Sequence, residues 1–174
     1  QREGFKRPEL DAQLSYWTKQ LQDAPPALEL PTDRPRPAEQ MFRGAWLWRE
    51  LSGERTETLR TFGRHHRCTL YMVLLGAFDV LLSRYSGQTD IVVGSPGAGR
   101  SWYELDGMIG LFVNTVALRM DLTDDPAFDK LLDRVRRTTL DSQANQDQPF
   151  ERLVESLRPD RTLSHAPVFQ VMFN

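Results

Sequence analysis

Two adjacent histidines are the first residues in this sequence whose types could do chemistry. His65 and His66 lie in the run 64–67, and a neutral imidazole can act as a general base. No acidic or nucleophilic partner lies near them in the sequence, and cationic side chains suit the C-terminal end of a helix. We therefore interpret the pair as the polar end of an amphipathic helix. With three histidines and a single cysteine, Cys68, the sequence also has no spacing typical of a metal site.

An asparagine among large apolar residues is the second candidate. Residues 108–119 predict a strand that is entered through a glycine, and its period of two places on one face Phe112, Asn114, Val116, Leu118 and Met120. If that face is buried, the amide of Asn114 must find hydrogen-bond partners or cost about 1–3 kcal/mol. Asn114 is then either a core residue tied to a neighbouring backbone or an amide that lines a substrate passage. Periodicity does not choose between these two interpretations.

Two charged residues complete the set of candidates. Asp147 could be a catalytic carboxylate, but it lies close before Pro149, where a helix cap or a turn is the simpler role. Arg100 could bind an anion, form an ion pair across an interface or lie exposed to solvent. The glycines of residues 94–99 are too loosely arranged for a phosphate-binding loop.

These candidates need elements to position them, and the pattern predicts alternating helices and strands. Helices are expected over 8–22, from Ser52 to about 67, from Thr69 to Gly87, over 126–144 and from Pro149 to about 157. Strands are expected over 42–51, 91–94, 108–119 and 168–173, with a loop of about a dozen residues beginning at Ser95. This alternation is typical of the α/β class.

Composition excludes several classes of function. The chain has 174 residues and a net charge of −2, so nothing indicates nucleic acid or an anionic membrane as a partner. One cysteine permits no internal disulfide and suits a reducing compartment. The sequence has neither an apolar run of about 18 residues nor a signal peptide, so we expect a cytoplasmic protein. It begins without Met and stops within a predicted strand, so we expect a fragment that forms a single domain or one lobe.

Four segments together resemble the condensation domains of nonribosomal peptide synthetases. Residues 109–115, IGLFVNT, which close on Arg119, resemble the family's IGxFVNT…R strand, and residues 145–151, NQDQPFE, resemble its (H/N)QDxPFE motif. Residues 91–100, IVVGSPGAGR, resemble VGxPxAxR. Residues 161–167, RTLSHAP, resemble RDxSRNP, but Thr162, His165 and Ala166 replace the usual Asp, Arg and Asn. The resemblance extends over essentially all 174 residues, with Gln1 and Arg2 ending an upstream family segment.

The resemblance implies a fold and a reaction. The fold would be a chloramphenicol-acetyltransferase-like lobe, a mixed β-sheet flanked by helices, and residues 1–174 would be the C-terminal half of a condensation domain. In this family two lobes enclose a tunnel, where an acceptor amine attacks a donor thioester, and phosphopantetheine arms of two carrier proteins carry both substrates. The family's HHxxxDG motif is absent here, because Leu70 and Tyr71 occupy its Asp-Gly positions after His65-His66. The resemblance therefore implies no catalytic residue in this chain and no activity from it alone.

The resemblance also implies site residues and partners. Residues of the substrate tunnel or its motifs would be Ser95, Arg100, Asn114, Gln146 and Asp147. The loop that reaches the other lobe would contain Pro96, Arg100, Trp102 and Tyr103. Partners would be the N-terminal lobe and the donor and acceptor carrier proteins, with no cofactor or metal bound by this lobe, no nucleic acid and no membrane.

Two alternatives remain open at this point. A non-catalytic module of the same fold could recruit other enzymes, and an epimerisation or heterocyclisation relative could carry out different chemistry. An intact upstream HHxxxDG motif would favour catalysis, and a degraded one would favour recruitment.

Overall fold

A computed structural model describes residues 8–40, 43–100, 103–105, 107–157 and 164–174 of the chain. The predictions made for Gln1, Arg2, Trp102 and residues 161–163 lie outside these ranges. The order of elements along the chain is α1 (Pro8–Gln20), α2 (Gly53–His65), α3 (Leu70–Ser86), β1 (Asp90–Gly97), a 3₁₀ helix (Tyr103–Leu105), β2 (Asn114–Asp121), α4 (Phe128–Ala144) and α5 (Phe150–Leu157). The predicted α/β class is confirmed.

Local capping sets the ends of two central helices. The Ser52 hydroxyl accepts a hydrogen bond from the Arg55 N–H at 3.3 Å and begins α2. The Thr69 hydroxyl accepts one from the Met72 N–H at 3.2 Å and begins α3. Gly87 ends α3 in the left-handed conformation, with φ of 72°, which costs a residue without a Cβ little. All three residues are predictable from the sequence, because capping depends on neighbours along the chain.

The two strands pair antiparallel, and both faces of the pair are covered. The register places Asp90 opposite Asp121 and Gly97 opposite Asn114. On one face Ile91, Val93, Leu118 and Met120 are buried, and on the other Val92 and Ala117 are buried as well. The predicted final strand, 168–173, is reduced to a single parallel bridge between Gly94 and Met172. Among the described residues, the sheet is therefore mixed but small.

The predicted strand over 42–51 is wrong for the residues described there, 43–51. They form no ladder with any described residue, although the rings of Trp46 and Trp48 do stack, with centroids 6.2 Å apart. Both indoles are at least 80% exposed. A period of two identifies an extended backbone, but a strand also requires a neighbour with which to pair.

The predicted entry of β2 through a glycine is also wrong. Residues 108–113 lie outside the strand and expose Ile109 and Leu111, because β1 ends at Gly97, opposite Asn114. Conversely, Ser95 and Pro96 were expected in the loop and lie in β1. Proline fits there because the Gly94 N–H, two residues earlier, points away from β2 to Val171 O. The Pro96 nitrogen faces the same way, so no bond to β2 is lost.

Helix α3 is the most apolar helix and packs against α4 and β1. Among the described residues no single helix is long and apolar enough to span a membrane; α2 and α3 reach that length and composition only as a pair, bent by 97°. The buried face of α3 includes one acidic residue, Asp79, which is 0% exposed. Neither of its carboxylate oxygens has a hydrogen-bond partner among the described residues. Burial raises the pKa of Asp79 to about 8, so the folded chain holds it protonated at neutral pH.

We expect Asp79→Asn to flatten the pH dependence of stability. An unfolded aspartate titrates near pH 4, whereas folded Asp79 titrates near 8, so stability is lost as pH rises between these values, by about 1.4 kcal/mol for each pH unit. Thermal unfolding of the intact protein at about pH 5, 7 and 9 should show the wild type losing stability relative to this variant. The control Asp133→Asn, on the exposed side of α4, should follow the wild type. Parallel profiles for Asp79→Asn and the wild type would contradict the prediction.

Candidate functional site

The side chain of Asn114 fastens the turn that joins α4 to α5. Its Nδ2 donates to the carbonyl oxygens of Gln146 and Gln148, both at 2.7 Å, and its Oδ1 accepts from the Phe150 N–H at 3.2 Å. All hydrogen-bonding atoms of the amide are thus engaged by the backbone of residues 146–150. Of the two interpretations of Asn114, the structure supports the tie to a neighbouring backbone, and that backbone is itself the second sequence motif.

Gln146 lies over the end of the strand pair. A Cβ added to Gly97 would approach the Gln146 Oε1 to 3.1 Å, and Gly97 is the residue opposite Asn114 in the ladder. The structure therefore brings Asn114 and Gln146 together, although they are 32 residues apart in sequence. Asp147 lies between the two carbonyl groups that Asn114 binds and is exposed, as a turn residue would be.

Helix α1 supplies two contacts to the same turn, and neither was predicted from the sequence. The indole Nε1 of Trp17 donates to the Asn145 carbonyl oxygen at 2.8 Å, and the Gln13 Oε1 accepts from the Gln148 N–H at 2.9 Å. In the sequence pattern Trp17 is only one member of an apolar stripe, and Gln13 carries no signal of its own. Their spacing of four residues, which places both on one face of a helix, was the available signal.

Gln148 is the least expected residue of the turn. Its side chain is 3% exposed, and its amide nitrogen and oxygen both lack a hydrogen-bond partner within the described ranges. A buried unpaired amide is unfavourable by about 1–3 kcal/mol. The turn is therefore held by hydrogen bonds from side chains of β2 and α1 to its backbone. Within the described ranges, the Gln148 side chain forms no hydrogen bond that would help to hold it.

Ser95 lies apart from these contacts. It is buried within β1, and its hydroxyl is 2.7 Å from the hydroxyl of Tyr71 on α3. Burial raises the pKa of Tyr71, so this phenol stays neutral and either hydroxyl can donate to the other. The pair satisfies two polar groups inside the core, between a helix and the sheet.

Arg100 organises the loop that follows β1. Its guanidinium donates to the carbonyl oxygens of Leu105 and Met108, the latter at 2.9 Å, and lies 4.4 Å from the ring centroid of Phe112. Gly99, with φ of 62°, lets this loop cross close to the Phe112 carbonyl, where a Cβ would collide. Arg100 is therefore neither simply solvent-exposed nor visibly directed at an anion. Tyr103, also assigned to this loop, is 89% exposed.

The described residues offer little conventional catalytic chemistry. Burial raises the pKa of Cys68, which disfavours a reactive thiolate. The Nδ1 of His65 is hydrogen-bonded to Thr61 O at 2.8 Å and the His66 ring packs on Phe62, as expected for the polar end of α2. No group of three or more His, Cys, Asp or Glu within the described ranges could hold a metal ion. What the site offers is a rigid backbone turn beside the end of a sheet, with Gln146 across Gly97.

Comparisons with known proteins agree on one family. A family model described as "Condensation domain" matches residues 2–174. One of the linear gramicidin synthase proteins of Brevibacillus parabrevis is 51% identical over 173 residues, which are 99% of this chain and 2% of that protein. Malpibaldin synthetase from Mortierella alpina is 48% identical over 164 residues, which are 94% of this chain and 3% of that protein. The chain thus spans a very small part of the curated relatives that it matches.

Two solved structures show the same fold. A four-domain nonribosomal peptide synthetase, holo-AB3403 bound to AMP and glycine, superposes with a TM-score of 0.91 at 32% identity, over 94% of this chain and 12% of that one. The X-domain in its complex with OxyB from teicoplanin biosynthesis superposes with a TM-score of 0.88 at 28% identity, over 94% of this chain and 36% of that one.

Proposed function

The chain belongs to the condensation-domain family, and we propose that it forms the C-terminal lobe of a domain that makes amide bonds between carrier-bound substrates in nonribosomal peptide synthesis. The family match agrees with the resemblance read from the four motifs. In this proposal the lobe supplies one wall of a substrate tunnel and an N-terminal lobe supplies the other. The observation that carries it is the Asn114 amide, whose hydrogen bonds connect two of the motif segments.

The reaction depends more on how the two substrates are positioned than on a nucleophilic side chain of the protein. The acceptor amine nitrogen bonds to the donor thioester carbonyl carbon, the carbon–sulfur bond breaks, and the proton lost by nitrogen passes to the departing sulfur. Aminolysis of a thioester is downhill, so holding both reactants in line supplies much of the rate; well-oriented intramolecular reactions reach effective molarities of about 10⁵–10⁸ M.

The arrangement around Asn114 suits this task. The carbonyl groups of Gln146 and Gln148 both point toward the Asn114 Nδ2, and the Gln146 side-chain oxygen lies next to Gly97 at the end of β1. We assign Gln146 and Asp147 to the tunnel surface, and Asn114 to the support beneath it. Ser95 lies deeper, in the core, and supports β1 through Tyr71.

The same proposal assigns partners to the remaining surfaces. The loop held by Arg100, which includes Tyr103 and exposes Ile109 and Leu111, is proposed to reach the N-terminal lobe. Donor and acceptor carrier proteins present their substrates on phosphopantetheine arms, which are tethered substrates and not a cofactor of this lobe. We propose a cytoplasmic location, which the single, buried Cys68 supports.

The test is a transfer assay with the complete condensation domain and two loaded carrier proteins. We expect mass spectrometry to show the donor acyl group on the acceptor carrier through a new amide. Residues 1–174 alone should give no transfer above the uncatalysed rate, because half of the tunnel is missing. Turnover by residues 1–174 alone would contradict the lobe assignment, and no transfer by the complete domain would contradict condensation.

A recruitment module is the second candidate, and one comparison favours it. The X-domain, which superposes on this chain, was solved in complex with OxyB. A domain of this kind would bind a partner enzyme and transfer no acyl group in the same assay. An epimerisation relative would instead exchange the substrate α-hydrogen with solvent deuterium without forming an amide.

A further inference from the structure

Helix α1 contacts the 145–150 turn through two side chains on a single face. The Trp17 indole is 2% exposed and donates to the Asn145 carbonyl oxygen at 2.8 Å. One turn earlier, the half-buried Gln13 accepts from the Gln148 N–H at 2.9 Å. Neither bond is local, because each spans more than 120 residues of sequence. Two long-range polar bonds from one helix face to one turn are a specific connection, beyond the general packing of a helix on a core.

We propose that Gln13 and Trp17 are positioning residues for condensation, which hold the turn from α1 while Asn114 holds it from β2. The inference rests on the proposed function, in which this turn forms part of the tunnel wall. Neither residue touches a substrate in this assignment. Each acts through the backbone of residues 145–148, whose direction decides where Gln146 lies over Gly97.

The chemistry of the turn explains why such support is needed. Asn114 engages the carbonyl groups of Gln146 and Gln148 and the N–H of Phe150. The Gln148 N–H and the Asn145 carbonyl oxygen are among the groups that Asn114 does not engage, and α1 binds both of them. The Gln148 side chain, buried and unpaired within the described ranges, holds nothing in place. Without α1, the turn would lose these two bonds and would carry a buried N–H without an acceptor.

The test uses a matched pair of substitutions at Gln13 in the complete condensation domain. Gln13→Met keeps the length of the side chain and removes the acceptor, whereas Gln13→Glu keeps an oxygen that accepts from the Gln148 N–H. We expect Gln13→Met to lower kcat for transfer roughly tenfold with KM for the acceptor carrier unchanged, and Gln13→Glu to restore most of the rate. Trp17→Phe, which removes only the indole donor and some bulk, should lower kcat in the same way. Gln143→Met, on the exposed side of α4, is the control and should match the wild type.

Amide hydrogen exchange of the turn separates this inference from the proposed function. The Gln148 N–H should exchange faster in Gln13→Met than in the wild type, Gln13→Glu or Gln143→Met. Unchanged exchange would overturn the inference. Faster exchange with an unchanged kcat would overturn the positioning role while leaving condensation intact. If the wild-type domain transfers nothing, the proposed function fails and the positioning role fails with it, whereas transfer by the wild type with both expected changes supports both.

Discussion

Asn114→Ala is expected to lower the rate of amide formation by the complete condensation domain about 100-fold. The substitution removes three hydrogen bonds and leaves two carbonyl groups and one N–H of the turn without their partner. Each buried group left unpaired costs about 1–3 kcal/mol. A 100-fold loss of rate corresponds to an increase of about 2.7 kcal/mol in the activation free energy, which is within the summed cost of three unpaired groups. The measurement is single-turnover transfer between loaded carrier proteins.

Two further variants show whether the amide itself is responsible. Asn114→Asp keeps the shape but replaces the donor with an oxygen that faces the carbonyl groups of Gln146 and Gln148, so we expect a loss at least as large. Thr115→Val, one residue along, alters the opposite face of β2 and should leave the rate within about twofold. The affinity for the carrier proteins should be unchanged in all three variants, because Asn114 contacts the turn within the lobe and is not proposed to contact a carrier protein. Normal turnover by Asn114→Ala would leave the residue with a purely structural role.

Arg119→Met is expected to lower the free energy of unfolding by about 1.5–3 kcal/mol, because it removes charge-assisted hydrogen bonds from a pair that is only partly exposed to solvent. Arg119 binds Asp90 through two hydrogen bonds, of 2.9 and 2.7 Å, and its remaining donors bind the carbonyl oxygens of Gln20, Gln22 and Asp23 at 3.0, 2.6 and 3.4 Å. These carbonyls lie at the C-terminal end of α1, where a cation is favourable. Hydrogen bonding to Asp90 raises the pKa of Arg119 further, so its charge is permanent.

Urea unfolding of the complete domain is the measurement, with Arg134→Met as the matched control. Arg134 pairs with Asp121 at 3.9 Å, and both of these side chains are more exposed than those of Arg119 and Asp90. That surface pair should contribute less than about 1 kcal/mol. Arg119→Lys should recover only part of the loss, because an ammonium group cannot bind a carboxylate and three carbonyl groups as the planar guanidinium does. Equal midpoints for Arg119→Met and Arg134→Met would contradict the assignment.

The helices of this fold were predictable because their signals are local. Ser52, Thr69 and Gly87 form hydrogen bonds with groups within four residues of themselves. Both partners of each interaction therefore stand in one short stretch of sequence, where they can be recognised together. The strands were less predictable for the opposite reason. Residues 43–51 and 108–113 have strand-like periodicity, yet whether such segments enter a sheet depends on a partner elsewhere in the chain.

The site divides in the same way. Asn114 was found because a polar residue interrupts an apolar face, and Gln146 and Asp147 were found through their motif. Their mutual contact was not predictable, since nothing in the spacing shows that β2 reaches the 145–150 turn. Gln13 and Trp17 were missed because a helix face was read for hydrophobicity alone, while the decisive atoms are one amide oxygen and one indole nitrogen.

The cap that Arg119 places on α1 has a consequence in mechanical terms. Asn114 joins β2 to the turn, Trp17 and Gln13 join the turn to α1, and Arg119 joins α1 back to β2. The strand, the turn and the helix are thus linked in a closed ring, so a shift of one of them relative to another strains hydrogen bonds at more than one place. A force that a tethered substrate exerts on the turn is therefore borne by two connections to β2, a direct one through Asn114 and an indirect one through α1 and Arg119. Removal of any one of these connections opens the ring, and the turn then gains freedom to move relative to β2 or α1.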